Sequence, residues 1–107
     1  MNALADDLDK AVKEASRVWG VSRDAILSSQ RPDRVCKARF AVYAWMRRQG
    51  YVYEQIGFAM DKDHGAVING VIKFRNWVET MPSMRLDSFK FAQAMGVGDE
   101  ALGTWVP

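Results

Sequence analysis

The chain has 107 residues, and 49% of them are hydrophobic, which is typical of one folded domain and argues against a disordered segment. No apolar stretch approaches the roughly 18 residues of a membrane span, and the acidic N-terminus lacks the pattern of a signal peptide. A single cysteine, Cys36, leaves no internal disulfide. We therefore expect a cytoplasmic protein without a membrane partner.

The net charge of +2 conceals an uneven distribution along the chain. Residues 1–14 contain four acidic and two basic side chains, whereas residues 17–48 contain eight basic and two acidic ones. A basic middle segment favours an anionic partner, although the same distribution also suits an ordinary solvated surface.

Apolar residues recur at spacings of three and four, and no segment alternates convincingly with period two, so the pattern predicts an all-α fold. The first predicted helix covers residues 3–18 and ends at Gly20. A short second helix begins after Ser22 as its N-cap, and residues 28–33 form a loop. The third helix covers residues 33–49, with Pro32 suited to its first turn and Gly50 ending it.

Three more helices are predicted, over residues 52–60, from His64 to about Thr80, and over residues 83–95. Asp63 is a suitable N-cap for the fifth helix, and Pro82 prevents that helix from continuing. The side chains expected in the core of the second half, or against it, are Ile56, Met60, Val67, Val71, Phe74, Trp77, Val78, Leu86, Phe89 and Met95. Tyr43 and Trp45 are expected there from the third helix.

These elements predict a compact bundle of five or six helices within residues 1–95. Residues 96–107 form a Gly-rich tail, in which Leu102 and Trp105 are candidates to pack back onto the bundle.

The helices at 52–60 and 64–80, separated by a short polar turn, form a helix-turn-helix candidate. An α-helix fits the major groove of B-DNA, and a preceding helix can hold it there. The outward face of the second helix is small, amide-bearing and basic, and consists of Gly65, Asn69, Lys73 and Asn76. Gly65 and Ala66 allow close backbone approach, the amide of Asn69 suits an adenine edge, and the N–H groups at residues 64–66 suit a phosphate. Helical hairpins with a polar face are also common as purely structural units.

Four segments carry a resemblance to a known family. They are VSRDAILSSQR at 21–31, VCKARFAVYA at 35–44, YEQIG at 53–57 and KDHGAV at 62–67. In this order and spacing they resemble the C-terminal DNA-binding domain of the bacterial replication initiator DnaA, over roughly residues 10–80. The resemblance implies a helix-turn-helix fold of the Trp-repressor and DnaA C-terminal type.

The resemblance also implies roles for individual residues. Asp63 and His64 match the pair that contacts bases and backbone in the major groove, and Lys62 matches the basic residue before them, a phosphate contact. Arg31 matches the arginine of a basic loop that enters the minor groove. Lys37 and Arg39 match basic residues expected near phosphates at the start of the long helix.

The family's two hydroxyl residues after the histidine are replaced here by Gly65 and Ala66. The sequence also contains no G-x-x-x-x-G-K-[ST] motif, so no nucleotide ligand is expected. A stand-alone DNA-binding domain of this kind would suit a phage or a mobile element.

Each assignment has a structural alternative. Asp63 could serve as an N-cap alone. His64 could be an ordinary half-exposed residue at the start of a helix. Arg39 is able to form a surface ion pair with Asp33 or Glu54. As the only histidine, His64 has no histidine partner for a metal site.

The leading hypothesis is a sequence-specific DNA-binding protein, associated with the nucleoid, that regulates transcription or modulates replication initiation. The alternative is a protein-interaction module that keeps the fold and binds a partner such as a host initiator. Homodimerisation stays open. One His, one Cys and no clustered carboxylates argue against an enzyme, and no cofactor is expected.

Overall fold

The computed structural model describes residues 2–97, and all regular structure in that range is helical. The predicted all-α class is confirmed. The six helices are α1 (Ala3–Trp19), α2 (Arg23–Leu27), α3 (Asp33–Arg48), α4 (Tyr53–Met60), α5 (His64–Thr80) and α6 (Pro82–Ala94). Each lies within two residues of its predicted bounds. Residue 1 and residues 98–107 lie outside the described range, and with them most of the predicted tail, including Leu102 and Trp105.

Local capping explains where the early helices begin and end. The side-chain oxygen of Asn2 accepts hydrogen bonds from the backbone N–H groups of Leu4 and Ala5 at the start of α1. Gly20 ends α1 with a left-handed φ of 65°. The hydroxyl of Ser22 accepts from the N–H of Ala25, 3.0 Å away, and so caps α2 as the sequence predicted.

The centre of the molecule is α3, which contacts α1, α2, α4 and α5. It is buried along most of its length because small and large apolar residues face several neighbouring helices. Ala38, Ala41 and Ala44 are fully buried and let helices approach closely, while Val42 and Met46 fill the space between them.

The core predictions for α3 to α5 are largely confirmed. Tyr43, Trp45 and Phe74 are buried, as are Ile56 and Met60 and the stripe from Val67 to Val78. Trp77 was expected in the core but is half-buried, because one ring face stacks on Phe40 while Lys73 approaches the ring.

The predicted inner face of α6 is partly wrong. Leu86 is 56% exposed and Phe89 is half-buried, whereas Met95 is buried as predicted. The helix instead packs on α1 and α5 through Met84, Phe91 and Ala92. The fully buried Ser88 interrupts the apolar pattern, and its hydroxyl donates to the carbonyl oxygen of Arg85, 2.8 Å away.

A three-residue turn joins α4 to α5, and the two helices pack against each other. Asp61 ends α4 in the left-handed region, with a φ of 55°, and the N–H of Lys62 donates to the carbonyl oxygen of Gly57, 2.8 Å away. A Cβ atom on Gly57 would lie only 2.5 Å from the carbonyl oxygen of Lys62. Glycine at this position therefore lets the turn fold directly onto α4.

None of the helices in residues 2–97 combines the length and the apolar content that a bilayer crossing requires.

Candidate nucleic-acid interface

The loop between α2 and α3 is held by short-range hydrogen bonds. The hydroxyl of Ser28 donates to the carbonyl oxygen of Ala25 (2.7 Å) and accepts from the N–H of Gln30 (3.1 Å). The thiol of Cys36 lies 3.6 Å from the carbonyl oxygen of Arg31, within the range of a sulfur hydrogen bond. The backbone at Arg31 is thus anchored, while its exposed guanidinium has no partner within the described residues.

Arg39 requires a correction. It was predicted to contact phosphate, or to pair with Asp33 or Glu54, but it is only 5% exposed. Its Nε donates to the carbonyl oxygen of Ile26 (2.8 Å) and its Nη2 to that of Ala25 (2.9 Å). These carbonyl groups lie at the end of α2, beyond which the helix supplies no further N–H groups, and the buried guanidinium binds both of them. The Ala25 oxygen also accepts from the N–H and the hydroxyl of Ser28.

Lys62 extends the same network from the other side. Its Nζ donates to the carbonyl oxygen of Leu27, 3.2 Å away, and so joins the turn before α5 to the end of α2. Arg39 and Lys62 together bind three consecutive carbonyl groups, at residues 25 to 27. The basic loop therefore has a fixed position relative to the start of α5.

A cleft of about 360 Å³ lies between the loop, α3 and α5. Most of the predicted site residues, although they come from distant parts of the sequence, line it: Arg31, Arg39, Lys62, Ala66, Asn69 and Lys73. Among the described residues that line it there are four cations and no carboxylate. A smaller cavity of about 290 Å³ shares Arg31 and Lys73 and continues toward Trp77. We call the larger space the basic cleft.

The predicted residues at the start of α5 stand at the surface. Asp63 occupies the N-cap position as predicted, but its side chain makes no capping hydrogen bond and is 80% exposed. The side chain of His64 is 56% exposed, with its Nδ1 atom 3.6 Å from the Asp63 carboxylate. Because Asp63 does not cap the helix, it leaves the first N–H groups of α5, near Gly65 and Ala66, free to bind an anion.

Lys37 was predicted to lie near phosphate but lies away from the basic cleft. Its Nζ is 2.8 Å from the carboxylate of Asp33, one helical turn earlier. It lines a separate polar cavity, together with Trp19, Arg34 and Asp87. The spacing of four residues between Asp33 and Lys37 was the sequence signal for this pairing.

Sequence reasoning missed the aromatic wall of the basic cleft. Phe40 stacks on Tyr43 and on Trp77, with ring centroids 5.8 and 5.7 Å apart. Burial raises the pKa of the Tyr43 phenol to about 12. A Cβ on Gly70 would lie 2.6 Å from the Tyr43 ring, so this glycine brings α5 against α3. A glycine inside a helical pattern, at position 70, was the signal available in the sequence.

Within residues 2–97, no cluster of three or more His, Cys, Asp or Glu side chains is arranged to hold a metal ion. Comparisons of the chain with family models, with curated proteins and with solved structures find no match.

Proposed function

We propose that this protein binds double-stranded DNA sequence-specifically, with α4 and α5 as a helix-turn-helix and α5 in the major groove. In this role it regulates transcription or modulates replication initiation, and it associates with the nucleoid. The observation that carries the proposal is the basic cleft, because residues singled out in two distant segments line one cavity beside α5.

The charge of the cleft supports a phosphodiester strand as its occupant. Arg31 and Lys73 flank it from the loop and from α5, and Lys62 flanks it at the turn. The strand that separates a major from a minor groove would then lie between α5 and the loop. Phosphate contacts of this kind position a protein on the duplex.

The exposed groups at the start of α5 support base contacts next to that strand. His64 and Asn69 are exposed, and the amide of Asn69 has no hydrogen-bond partner in the described part of the chain. A helix of about 10–12 Å diameter fits a major groove about 12 Å wide. Arg31 lies across the cleft from α5 and would therefore contact the adjacent minor groove.

Selection of bound sequences from random duplexes at low salt tests the proposal. We expect one enriched sequence, and an affinity for it that falls steeply as salt rises. Arg31→Ala and His64→Ala should each weaken specific binding by about 1–3 kcal/mol. Lys90→Ala, which removes an exposed cation of α6 that lines none of the described cavities, is the matched control.

Two outcomes would count against the proposal in different ways. If a sequence is enriched but the Arg31 and His64 variants bind it as tightly as the unaltered protein, these residues do not form the binding site. No enrichment at low salt would remove the DNA-binding function itself and favour the alternative of a protein-interaction module.

A further inference from the structure

The outward face of α5 continues beyond its first turn as a strip of three side chains. Asn69, Ile72 and Asn76 follow at spacings of three and four and are all exposed. At about 100° of rotation per residue, they lie opposite the buried stripe of Val67 and Phe74.

Packing does not account for this strip. Ile72 is 50% exposed, although the neighbouring Val71 is buried to 2% exposure. The side-chain amides of Asn69 and Asn76 make no hydrogen bond in the described part of the chain. The hydroxyl of Thr80 does donate to Asn76, but to its backbone carbonyl oxygen. Asparagine also lowers helix stability compared with alanine. The strip therefore lowers helix propensity and exposes apolar surface, and neither amide gains a hydrogen bond within the described residues in return.

Lys73, which follows Ile72 on α5, is directed away from the strip. The Nζ of Lys73 lies 5.8 Å from the centre of the Trp77 ring, and Lys73 lines the basic cleft. Lys73 is thus held on the side of α5 assigned to phosphate, and Asn69, which also lines the basic cleft, lies at the border between that side and the strip. The strip itself presents two amides and one branched apolar side chain.

This chemistry matches A·T base pairs in the major groove. An asparagine amide pairs bidentately with N6 and N7 of adenine, and an apolar side chain contacts the C5 methyl group of thymine. Guanine offers two acceptors in place of that donor and acceptor, and cytosine lacks the methyl group. Asn69 and Asn76 are separated by about 10 Å along the helix axis, which corresponds to about three base pairs.

We infer that the strip makes the protein specific for consecutive A·T pairs, with Ile72 against a thymine methyl group. The inference rests on the proposed function and adds the base composition of the target. It also assigns specificity to Ile72, which the outward-face pattern of the sequence did not include.

Uracil substitution isolates the methyl contact. After selection, each thymine of the enriched site is replaced in turn by uracil, which keeps the base pair and removes the C5 methyl group. At one position we expect about fourfold weaker binding, the effect of one methyl-sized apolar contact. Ile72→Ala should weaken binding to the thymine site and abolish the difference between thymine and uracil at that position.

Leu86→Ala is the matched control, since it truncates an apolar side chain of comparable exposure on α6 and should leave the uracil effect unchanged. Both variants should fold, because both side chains are at least half exposed. Asn69→Ala should weaken binding about tenfold and relax the preference for adenine at one position.

The outcomes separate this inference from the proposed function. An enriched site with G·C pairs opposite the strip, or a uracil effect that persists in Ile72→Ala, would overturn the inference and leave DNA binding intact. Uracil tolerated equally at every thymine would do the same. No enriched sequence would overturn the proposed function, and the inference with it.

Discussion

Tyr43 shows how one residue serves both the fold and the candidate site. It is 1% exposed, packs on Phe40 and meets the backbone of α5 at Gly70. Burial disfavours the tyrosinate, which raises its pKa to about 12, while the nearby Arg39 opposes the shift. The phenol is therefore neutral at physiological pH and contributes packing, not charge, to the basic cleft.

The raised pKa of Tyr43 predicts a loss of stability in alkaline solution. Between pH 10 and 12 the tyrosine ionises in the unfolded chain but stays protonated in the folded one. The folded state then binds more protons, so the free energy of unfolding falls as pH rises, by up to about 1.4 kcal/mol per pH unit. Urea titrations across this pH range measure the slope.

Tyr43→Phe should flatten that dependence. Tyr51→Phe is the comparison, because the Tyr51 hydroxyl donates to the Asp7 carboxylate, 2.7 Å away, and this bond raises the pKa of Tyr51 near the protein surface. Because this pKa is also raised, Tyr51→Phe should remove its own part of the alkaline slope and leave the part that depends on Tyr43. An unchanged slope in Tyr43→Phe would contradict the assignment.

At the level of elements, the turn between α4 and α5 depends on a close backbone contact. The carbonyl oxygen of Lys62 would be 2.5 Å from a Cβ on Gly57. A backbone atom cannot move aside as a side-chain end can, so Gly57→Ala should displace the turn. We expect a loss of about 2 kcal/mol in unfolding free energy despite the better helix propensity of alanine. Thermal and urea unfolding of the variant measure this loss.

Gly65→Ala is the control for that substitution. Its Cβ would meet only the mobile carboxylate of Asp63, at 3.2 Å, so stability should be unchanged or slightly higher. Equal stability of the Gly57 and Gly65 variants would show that the contact at the turn does not constrain the two helices.

At the scale of the whole molecule, features encoded locally were predictable. The helix limits could be predicted from Gly20, Ser22 and Pro82. Each of these residues ends or starts a helix through the backbone of residues next to it in the sequence. The stripe of α5 was predictable because its period defines one inner face. The burial of Arg39 was not, since it depends on carbonyl groups 13 and 14 residues away.

The basic loop and the start of α5, which make up the candidate site, are also brought together by contacts between residues far apart in the sequence. A basic loop and a helix start were visible in the sequence, but their relative position depends on α2, to which Arg39 and Lys62 both bind. Arg39 is thus a positioning residue, although sequence reasoning assigned it to phosphate. In the proposed DNA complex, Arg39 would act through the loop that carries Arg31 and not through a phosphate contact.

If Arg39 positions the loop, its substitution should lower the stability of the protein, which loss of a phosphate contact alone would not do. Arg39→Met keeps most of the side-chain volume but leaves the buried carbonyl oxygen of Ile26 without its donor, while that of Ala25 keeps its bonds from Ser28. Unfolding in urea should therefore show a loss of about 2 kcal/mol. Lys37→Met, on the same helix, removes a cation from a surface ion pair and should cost less than about 1 kcal/mol. Arg39→Lys should restore part of the stability.

Binding to the selected site completes the test. If Arg39 acts by positioning Arg31, then Arg31→Ala should weaken binding much less in the Arg39→Met background than in the unaltered protein, measured where both variants remain folded. Additive losses of affinity would mean that Arg39 and Arg31 act independently on the DNA. If the Arg39→Met protein is stable and its binding depends less on salt, Arg39 contacts a phosphate as the resemblance implied.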